Sequence, residues 1–155
     1  MAQWLVKTEP DECSIDDLAG RPQRPVVWEG VRNYQARNFL REMGEGDQVF
    51  IYHSSCEHIG IAGIARVARA AYPDPSQFDP NSLYFDAKSP RDKPRWDSVD
   101  LLFVEKFPQL LSLDQLKAMS GLGALPLVKA GNRLSVMPVG EGEWEVIVRA
   151  TRAKG

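Results

Sequence analysis

Apolar and polar positions along the chain predict short strands and short helices in no regular alternation. Six apolar segments have the length and the β-branched or aromatic content of strands: "AQWLVK", "VVW", "QVFIYHS", "GIAGIARVARAAY", "SVDLLFVEKFP" and "GNRLSVMPV", the last ending at Pro138. Gly60 and Gly63 in the fourth segment predict a bulge or a close approach of two backbones. Because strands and helices do not alternate, we expect an α+β fold with a small, curved, mixed or mainly antiparallel sheet or open barrel.

The most regular helical pattern lies in "VVWEGVRNYQARNFLREM", from Val26 to Met43. Its apolar stripe has the spacing i, i+3, i+4, i+7 and predicts a core-facing helix: Ala36, Phe39, Leu40 and Met43. Gly44 is expected to end this helix. The opposite face is polar and carries Tyr34, Arg37, Asn38 and Arg41, with Asn33 beside them. A solvated face and a binding face are both consistent with that pattern.

Capping signals predict two shorter helices. Ser14 with Asp17, and Ser112 with Gln115, have the spacing of capping boxes ahead of "IDDLA" and "LDQLKAM". The segment "GEWEVIVRAT" is ambiguous, because its β-branched residues favour a strand. Its acidic start and the spacing of its apolar residues favour a helix, which is our interpretation.

A long connection from Pro73 to Asp97 contains five prolines. Loops of this length in compact domains are usually functional or disordered. Its aromatic residues predict an ordered loop packed on the body of the protein: Phe78, Tyr84, Phe85 and Trp96. Its second half, "KSPRDKPRW", has a local charge of +3, from Lys88, Arg91, Lys93 and Arg95 against Asp92.

Length and composition indicate one ordinary globular domain over residues 1–155, with 43% hydrophobic and 26% charged residues. The formal net charge of −2 argues against binding of polyanions by the whole surface, although it permits a local basic site. Cys13 and Cys56 are the only cysteines and form no CxxC pair, which indicates a reducing cytosolic setting. Neither a secretion signal nor an apolar run of membrane length is present, so we expect a cytoplasmic protein without a membrane partner.

The common catalytic and cofactor motifs are missing. There is no Walker A sequence, and "GIAGIA" lacks the glycine spacing of a dinucleotide fingerprint. His53, Cys56 and His58 suit zinc by type, but no fourth ligand or paired motif completes a tetrahedron. We therefore expect no catalytic residue, no metal and no cofactor. Glu9, Glu12 and Glu29 could supply an acid–base pair, although the sequence alone does not bring them together. A nucleotide-processing enzyme that uses Glu9 and His53 remains an open alternative.

Nucleic-acid binding is favoured by residue type. Trp28 and Tyr34 offer faces on which a single-stranded or flipped base can stack. Asn33 and Asn38 can read base edges, while Lys7 and several arginines can contact phosphates. Each feature also has a structural explanation, because a tryptophan is commonly a core residue and a polar helix face is commonly only solvated.

Several segments together resemble the EVE domain: "WLVKTEPDECSIDDL", "VVWEGVRNYQARNFLREM", "GDQVFIYHSSCEHIGIAGIARV", "AYPDPSQFDP" and "RLSVMPV". They occur in the expected order and cover nearly the whole chain. The EVE domain belongs to the PUA-like group, which resembles the YTH readers of methylated adenine. The resemblance implies a PUA-like pseudobarrel, a curved, mostly antiparallel or mixed sheet of five to six strands with short flanking helices. It also implies a pocket for a modified base in DNA or RNA, and identifies no protein partner.

The motifs of the family place the expected site on particular residues. The resemblance implies a base pocket formed by Lys7, Thr8, Glu9, Trp28, Asn33, Tyr34, Tyr52, His53, Ser54, Leu134 and Ser135. Thr8 stands where serine is usual and keeps the hydroxyl group. The expected phosphate contacts are Arg32, Arg37, Arg41, Arg95 and Arg133.

Energetics limit what an apolar pocket can select. One buried methyl group contributes about 0.8 kcal/mol, roughly fourfold in affinity. Stacking adds about 1–3 kcal/mol but does not depend on base identity. Selective recognition of a modification therefore needs polar groups, and we expect Glu9, Asn33, His53 and Ser54 to supply them. The predicted function is a non-catalytic reader of a modified base, with a nucleotide-processing enzyme, a small-molecule-binding domain or a protein-interaction domain as alternatives.

Overall fold

The computed structural model describes residues 2–129 and 131–153. Its strands are β1 Gln3–Thr8, β2 Val26–Trp28, β3 Gln48–His53, β4 Gly60–Pro73, β5 Asp97–Ser112 and β6 Val136–Val139. Its α-helices are α1 Ile15–Ala19, α2 Tyr34–Glu42, α3 Leu113–Lys117 and α4 Glu141–Ala153, with 3-10 helices at Pro75–Phe78 and Pro126–Val128. None of the helices in these two ranges combines the length and the apolar character needed to cross a bilayer.

One six-stranded sheet organises the fold, in the order β2-β5-β4-β3-β1-β6. Strands β1 and β3 are parallel, and the other neighbouring pairs are antiparallel. The sheet is open, with β2 and β6 at its two edges. The predicted α+β class with a mixed, mostly antiparallel sheet is confirmed.

Strand β4 is irregular where glycines bring two backbones together. An ideal Cβ atom on Gly60 would lie 2.2 Å from the carbonyl oxygen of Leu111, and one on Gly63 would lie 2.4 Å from that of Glu105. The register of β4 against β5 shifts between Ile61 and Gly63, as at a bulge. Bulges bend and twist a strand. The predicted bulge or close approach at these glycines is confirmed.

Helix α2 packs its apolar stripe on the core, as its spacing predicts. Ala36, Leu40 and Met43 are buried, and the ring of Phe39 lies 6.1 Å from that of Trp4. The side-chain oxygen of Asn33 accepts a hydrogen bond from the backbone N–H of Ala36 and caps the helix N-terminus. The helix ends at Glu42, just before Gly44.

The other predicted helices are also present. Both capping boxes form, with Ser14 and Ser112 as the N-cap residues of α1 and α3. The helical interpretation of the C-terminal segment is confirmed by α4. Trp144 of α4 stacks on Phe50 of β3 with ring centroids 3.7 Å apart, which fixes this helix to the sheet.

Two strands differ in extent from the prediction. Strand β5 continues to Ser112, beyond the predicted end at Pro108, because its last residue still pairs with Gly60. Strand β6 begins only at Val136. The side-chain oxygen of Asn132 accepts a hydrogen bond from the N–H of Leu134, and such local bonds compete with strand pairing.

The long connection between β4 and β5 is ordered and packed on the body, as its aromatic residues predict. Gln77 is completely buried at its centre. Its amide nitrogen donates to the carbonyl oxygens of Asp74 and Trp96, and its amide oxygen accepts from the Ser89 hydroxyl. The two ends of the loop are therefore joined around one side chain.

Candidate functional site

A cleft of about 850 Å³ lies beside the end of β1 and the connection between β2 and α2. Its volume falls within the range of about 300–1,000 Å³ that is usual for small-molecule sites. The lining residues are Lys7, Thr8, Glu9, Asp11, Glu12, Cys13, Asp17, Arg21, Val26, Val27, Trp28, Glu29, Gly30, Val31, Arg32, Ser54, Tyr84, Arg133 and Ser135.

The structure brings together a part of the predicted base pocket. The members that line the cleft are Lys7, Thr8, Glu9, Trp28, Ser54 and Ser135. They come from the end of β1, the end of β2, the residue after β3 and the segment before β6. Parallel pairing of β1 with β3 explains the arrangement, because it places Thr8 beside His53 and so brings Ser54 to the same edge.

The remaining predicted pocket residues lie outside the cleft lining. Asn33 caps α2, and Tyr34 stacks on Trp96 with ring centroids 4.8 Å apart. Tyr52 and Leu134 are buried, and the ammonium group of Lys7 lies 5.8 Å from the Tyr52 ring. Their assignment to a base site stays a prediction.

The predicted phosphate-binding arginines are largely bonded to the protein itself. Of these, Arg32 and Arg133 line the cleft. Arg37 donates to the carbonyl oxygen of Arg95 and to the Asn38 side chain, while Arg41 pairs with Asp97. Arg95 lies 3.8 Å from Asp86. Arg133 forms no ion pair with any residue of the two described ranges, so its charge is available to a ligand.

Tyr84 joins the two walls of the cleft. Its hydroxyl donates to Oε1 of Glu12 at 2.7 Å, on the β1–α1 wall. Its ring packs on Gly30 of the β2–α2 wall so closely that a Cβ atom there would lie 2.6 Å from the ring. Gly30 has φ of 86°, a conformation that glycine adopts without strain. Burial raises the pKa of Tyr84 to about 12, with help from Glu12, so its hydroxyl remains a donor.

Arg32 fixes the backbone of Tyr84. Its Nε and Nη2 atoms donate to the Tyr84 carbonyl oxygen at 3.1 and 2.7 Å. Its Nη1 atom donates to the fully buried carboxylate of Asp74 at 3.0 Å. In the structure Arg32 therefore positions one wall of the cleft.

Several polar groups in the cleft have no hydrogen-bond partner among the residues that the structure describes. The indole N–H of Trp28 and the carboxylates of Glu9 and Glu29 make no side-chain hydrogen bond to the described residues. The hydroxyl of Thr8, by contrast, donates to the carbonyl oxygen of Cys13 at 2.8 Å. The cleft can offer a ligand both donors and acceptors.

Burial changes the pKa of two charged groups that line the cleft, Lys7 and Glu29. It lowers the pKa of Lys7 from its ordinary value. Burial, followed by repulsion from Asp74, raises the pKa of Glu29. A partly desolvated ammonium group and a partly desolvated carboxylate both gain more from a bonded ligand than exposed groups do.

Comparison with known proteins identifies the fold family. The EVE domain matches residues 2–150. The chain belongs to the EVE domain family. Thymocyte nuclear protein 1 of Homo sapiens is 37% identical over 163 residues, which cover 95% of this chain and 72% of the human protein.

Solved structures support the same assignment. A crystal structure of a protein from Pseudomonas putida has a TM-score of 0.94 and 57% identity, covering 97% of this chain and 99% of that chain. Human THYN1 protein, solved in complex with DNA that contains 5-methylcytosine, has a TM-score of 0.88 and 36% identity, covering 97% of this chain and 98% of that chain.

The predicted pocket of this EVE domain does not include Tyr84, Cys13 or Asp17, and Glu12 and Glu29 are predicted only as members of an acid–base pair. Tyr84 lies in the long connection, and its partner Glu12 is 72 residues away. The aromatic content of that connection was the one available signal, since it predicted packing on the body. No local pattern shows which surface a packed loop will meet.

The side chains of this EVE domain that suit zinc by residue type, His53, Cys56 and His58, form no metal-binding group in the described residues. Within residues 2–129 and 131–153, no group of three or more His, Cys, Asp or Glu side chains is placed to hold an ion. The Cys56 thiol donates to the carbonyl oxygen of His58, which is consistent with a residue of a tight turn.

His53 has a structural role that predicts a pH dependence of stability. Its Nε2 atom accepts a hydrogen bond from the N–H of Ile15 at 3.1 Å, which requires a neutral ring. Burial lowers the pKa of His53 from its ordinary value, and nearby Asp16 opposes this only partly. The unfolded chain therefore takes up the proton first as the pH falls. The stabilisation is complete above the ordinary histidine pKa of about 6.5 and decreases as the pH falls below it, toward the folded-state pKa.

We expect the unfolding free energy of His53→Gln to decrease less steeply than that of wild type as the pH falls. The slope removed is at most about 1.4 kcal/mol per pH unit. Denaturant unfolding of both proteins at a series of pH values below neutrality measures it. The exposed His58 provides the matched control, and His58→Gln should keep the wild-type slope. Equal slopes for wild type and His53→Gln would contradict the role of the Ile15 bond.

Proposed function

We propose that this EVE domain binds a modified base of nucleic acid in the cleft and releases it unchanged. The observation that carries the proposal is Trp28, which lines the same cleft as the ammonium group of Lys7 and the carboxylates of Glu9 and Glu29. An aromatic face with nearby donors and acceptors is the arrangement used for a flipped or single-stranded base. The complex of human THYN1 with DNA containing 5-methylcytosine makes DNA with a modified cytosine the first candidate.

Polar groups rather than a methyl pocket should give the selectivity. A buried methyl group supplies only about 0.8 kcal/mol. A carboxylate can accept a hydrogen bond from the exocyclic amino group of cytosine. Glu9 and Glu29 are lining residues that could do so, and Ser54, Ser135 and Arg133 line the same cleft and offer further polar contacts. The cytoplasmic location that the cysteines indicate is part of the same proposal.

The test is a titration of oligonucleotides that differ only in the modification of one cytosine or one adenine. Binding should be measured near physiological ionic strength, about 0.15 M, because phosphate contacts depend strongly on salt. We expect Trp28→Leu to weaken binding of the preferred oligonucleotide by about 5- to 150-fold, since stacking contributes about 1–3 kcal/mol.

Trp28→Phe is the matched control, because it also reduces the volume of a buried residue but keeps an aromatic face. It should retain most of the affinity that Trp28→Leu loses. Thermal melting of both variants separates loss of binding from loss of folding. The proposal is wrong if all oligonucleotides bind with equal, negligible affinity and neither Trp28 variant changes it.

A further inference from the structure

One apolar side chain projects from the rim of the cleft. Leu83 is 94% exposed, the most exposed of the large hydrophobic residues in the described ranges. It directly precedes Tyr84, whose ring and hydroxyl are turned toward Gly30 and Glu12 in the cleft. The side chain of Tyr84 thus points into the cleft, whereas that of Leu83 points into solvent.

The loop that carries Leu83 is held by its own hydrogen bonds. The N–H of Ser82 donates to the carbonyl oxygen of Asp79, and that of Phe85 donates to the carbonyl oxygen of Ser82. The N–H of Tyr84 donates to the Ser82 hydroxyl at 3.0 Å. Arg32 donates two hydrogen bonds to the Tyr84 carbonyl oxygen. A fully exposed leucine is therefore presented from a fixed backbone.

The same connection carries positive charge. Lys88, Arg91 and Lys93 are exposed, and none of them forms an ion pair with a residue of the described ranges. Arg91 lies over the ring of Phe78, 4.9 Å from its centroid. An apolar tip followed by basic residues is complementary to a base stack bordered by phosphates.

We propose that Leu83 is a wedge that enters double-stranded DNA and occupies the place of the base drawn into the cleft. The inference rests on the proposed function and names its partner more closely, as a duplex rather than only a single strand. Extruding a base from a duplex loses its stacking, and proteins that insert apolar side chains between bases offset that loss. A single strand has no such gap to fill.

The test compares Leu83→Ala with wild type on one modified base, presented in a duplex and in the matching single strand. Burial of a leucine side chain predicts a loss of at least about tenfold in duplex affinity. Single-strand affinity should change less than about twofold. Leu83→Met should recover most of the duplex affinity, since it restores an apolar side chain of similar volume.

Two further measurements sharpen the comparison. Val104, 43% exposed on β5, is the matched surface control, and Val104→Ala should bind both substrates like wild type. A duplex with an abasic site opposite the modified base is already unstacked there, so Leu83→Ala should lose less affinity for it. A fluorescent 2-aminopurine beside the modified base should brighten with wild type and brighten less with Leu83→Ala.

The outcomes separate this inference from the proposed function. Wild type that binds the single strand but not the duplex overturns the wedge and leaves the function standing. The same follows if Leu83→Ala weakens both substrates equally or neither, or if Phe85→Ala alone gives the duplex defect. Wild type that binds neither substrate overturns the proposed function and the wedge together.

Discussion

Gly63→Ala is expected to destabilise the protein strongly. The new Cβ atom would lie 2.4 Å from the Glu105 carbonyl oxygen and 2.7 Å from Cδ1 of Ile15. The first of these is a backbone atom of β5, which can move only by separating two paired strands. Overpacking of this kind costs about 1–3 kcal/mol and sometimes more. Because total stability is about 5–15 kcal/mol, we expect a loss near the upper end of that cost to lower the melting temperature clearly.

Denaturant unfolding of Gly63→Ala and of a matched glycine variant measures this effect. Gly142 in α4 is the control, since a Cβ atom there meets nothing within 4 Å. Gly142→Ala should be neutral or stabilising by up to about 1 kcal/mol, because alanine favours the helix. If Gly63→Ala unfolds at the same denaturant concentration as wild type, the close approach of β4 and β5 is incorrect.

Local patterns predicted the elements of this fold well, and the glycines show why. Gly60 begins β4 and Gly63 lies inside it, and a glycine in a strand indicates a close backbone neighbour without showing which segment supplies it. The capping boxes at Ser14 and Ser112 depend only on residues three positions apart. Such local patterns do not predict the order of the strands in the sheet. The parallel pairing of β1 with β3, which places Ser54 beside Thr8, joins segments about 45 residues apart and leaves no local signature.

The cleft contains only some of the predicted pocket residues for the same reason. Residues at the ends of strands, such as Lys7, Trp28 and Ser54, line one cleft, and the pairing of β1 with β3 accounts for Lys7 and Ser54. Tyr84 belongs to a loop, and its position depends on Arg32 and Gly30 rather than on its own sequence neighbours. Asn33 illustrates the opposite case. Its side-chain oxygen is used to cap α2, a structural use that residue type alone does not distinguish from base recognition.

Asp74 connects the stability of the loop to the shape of the cleft. Its carboxylate is fully buried and accepts hydrogen bonds from Nη1 of Arg32 at 3.0 Å and from the N–H of Gly30 at 2.8 Å. It also accepts from the N–H and hydroxyl groups of Ser76. One side chain thus holds the β2–α2 wall of the cleft and the start of the loop that carries Tyr84.

Asp74→Ala is therefore expected to lower the unfolding free energy by about 3–5 kcal/mol, as removal of one partner of a buried ion pair usually does. Most of that loss arises because the groups that donate to Asp74 remain without their acceptor. Arg32→Met, added to the Asp74→Ala variant, should therefore recover part of the unfolding free energy. A double-mutant cycle in denaturant unfolding measures the coupling, which we expect to exceed about 1 kcal/mol for groups in direct contact. Additive effects would contradict the pairing.

The exposed pair of Lys106 and Asp16, with an N–O distance of 2.7 Å, is the control for that cycle. Removal of a surface ion pair changes stability by about 0–1 kcal/mol, so Lys106→Ala should be nearly neutral. In conditions where Asp74→Ala still folds, the variant lacks the hydrogen bonds that hold the Gly30 backbone and Arg32, which in turn holds Tyr84. Oligonucleotide affinity should then fall while Lys106→Ala keeps it, because the shape of the cleft depends on Asp74 although that side chain is not among its lining residues.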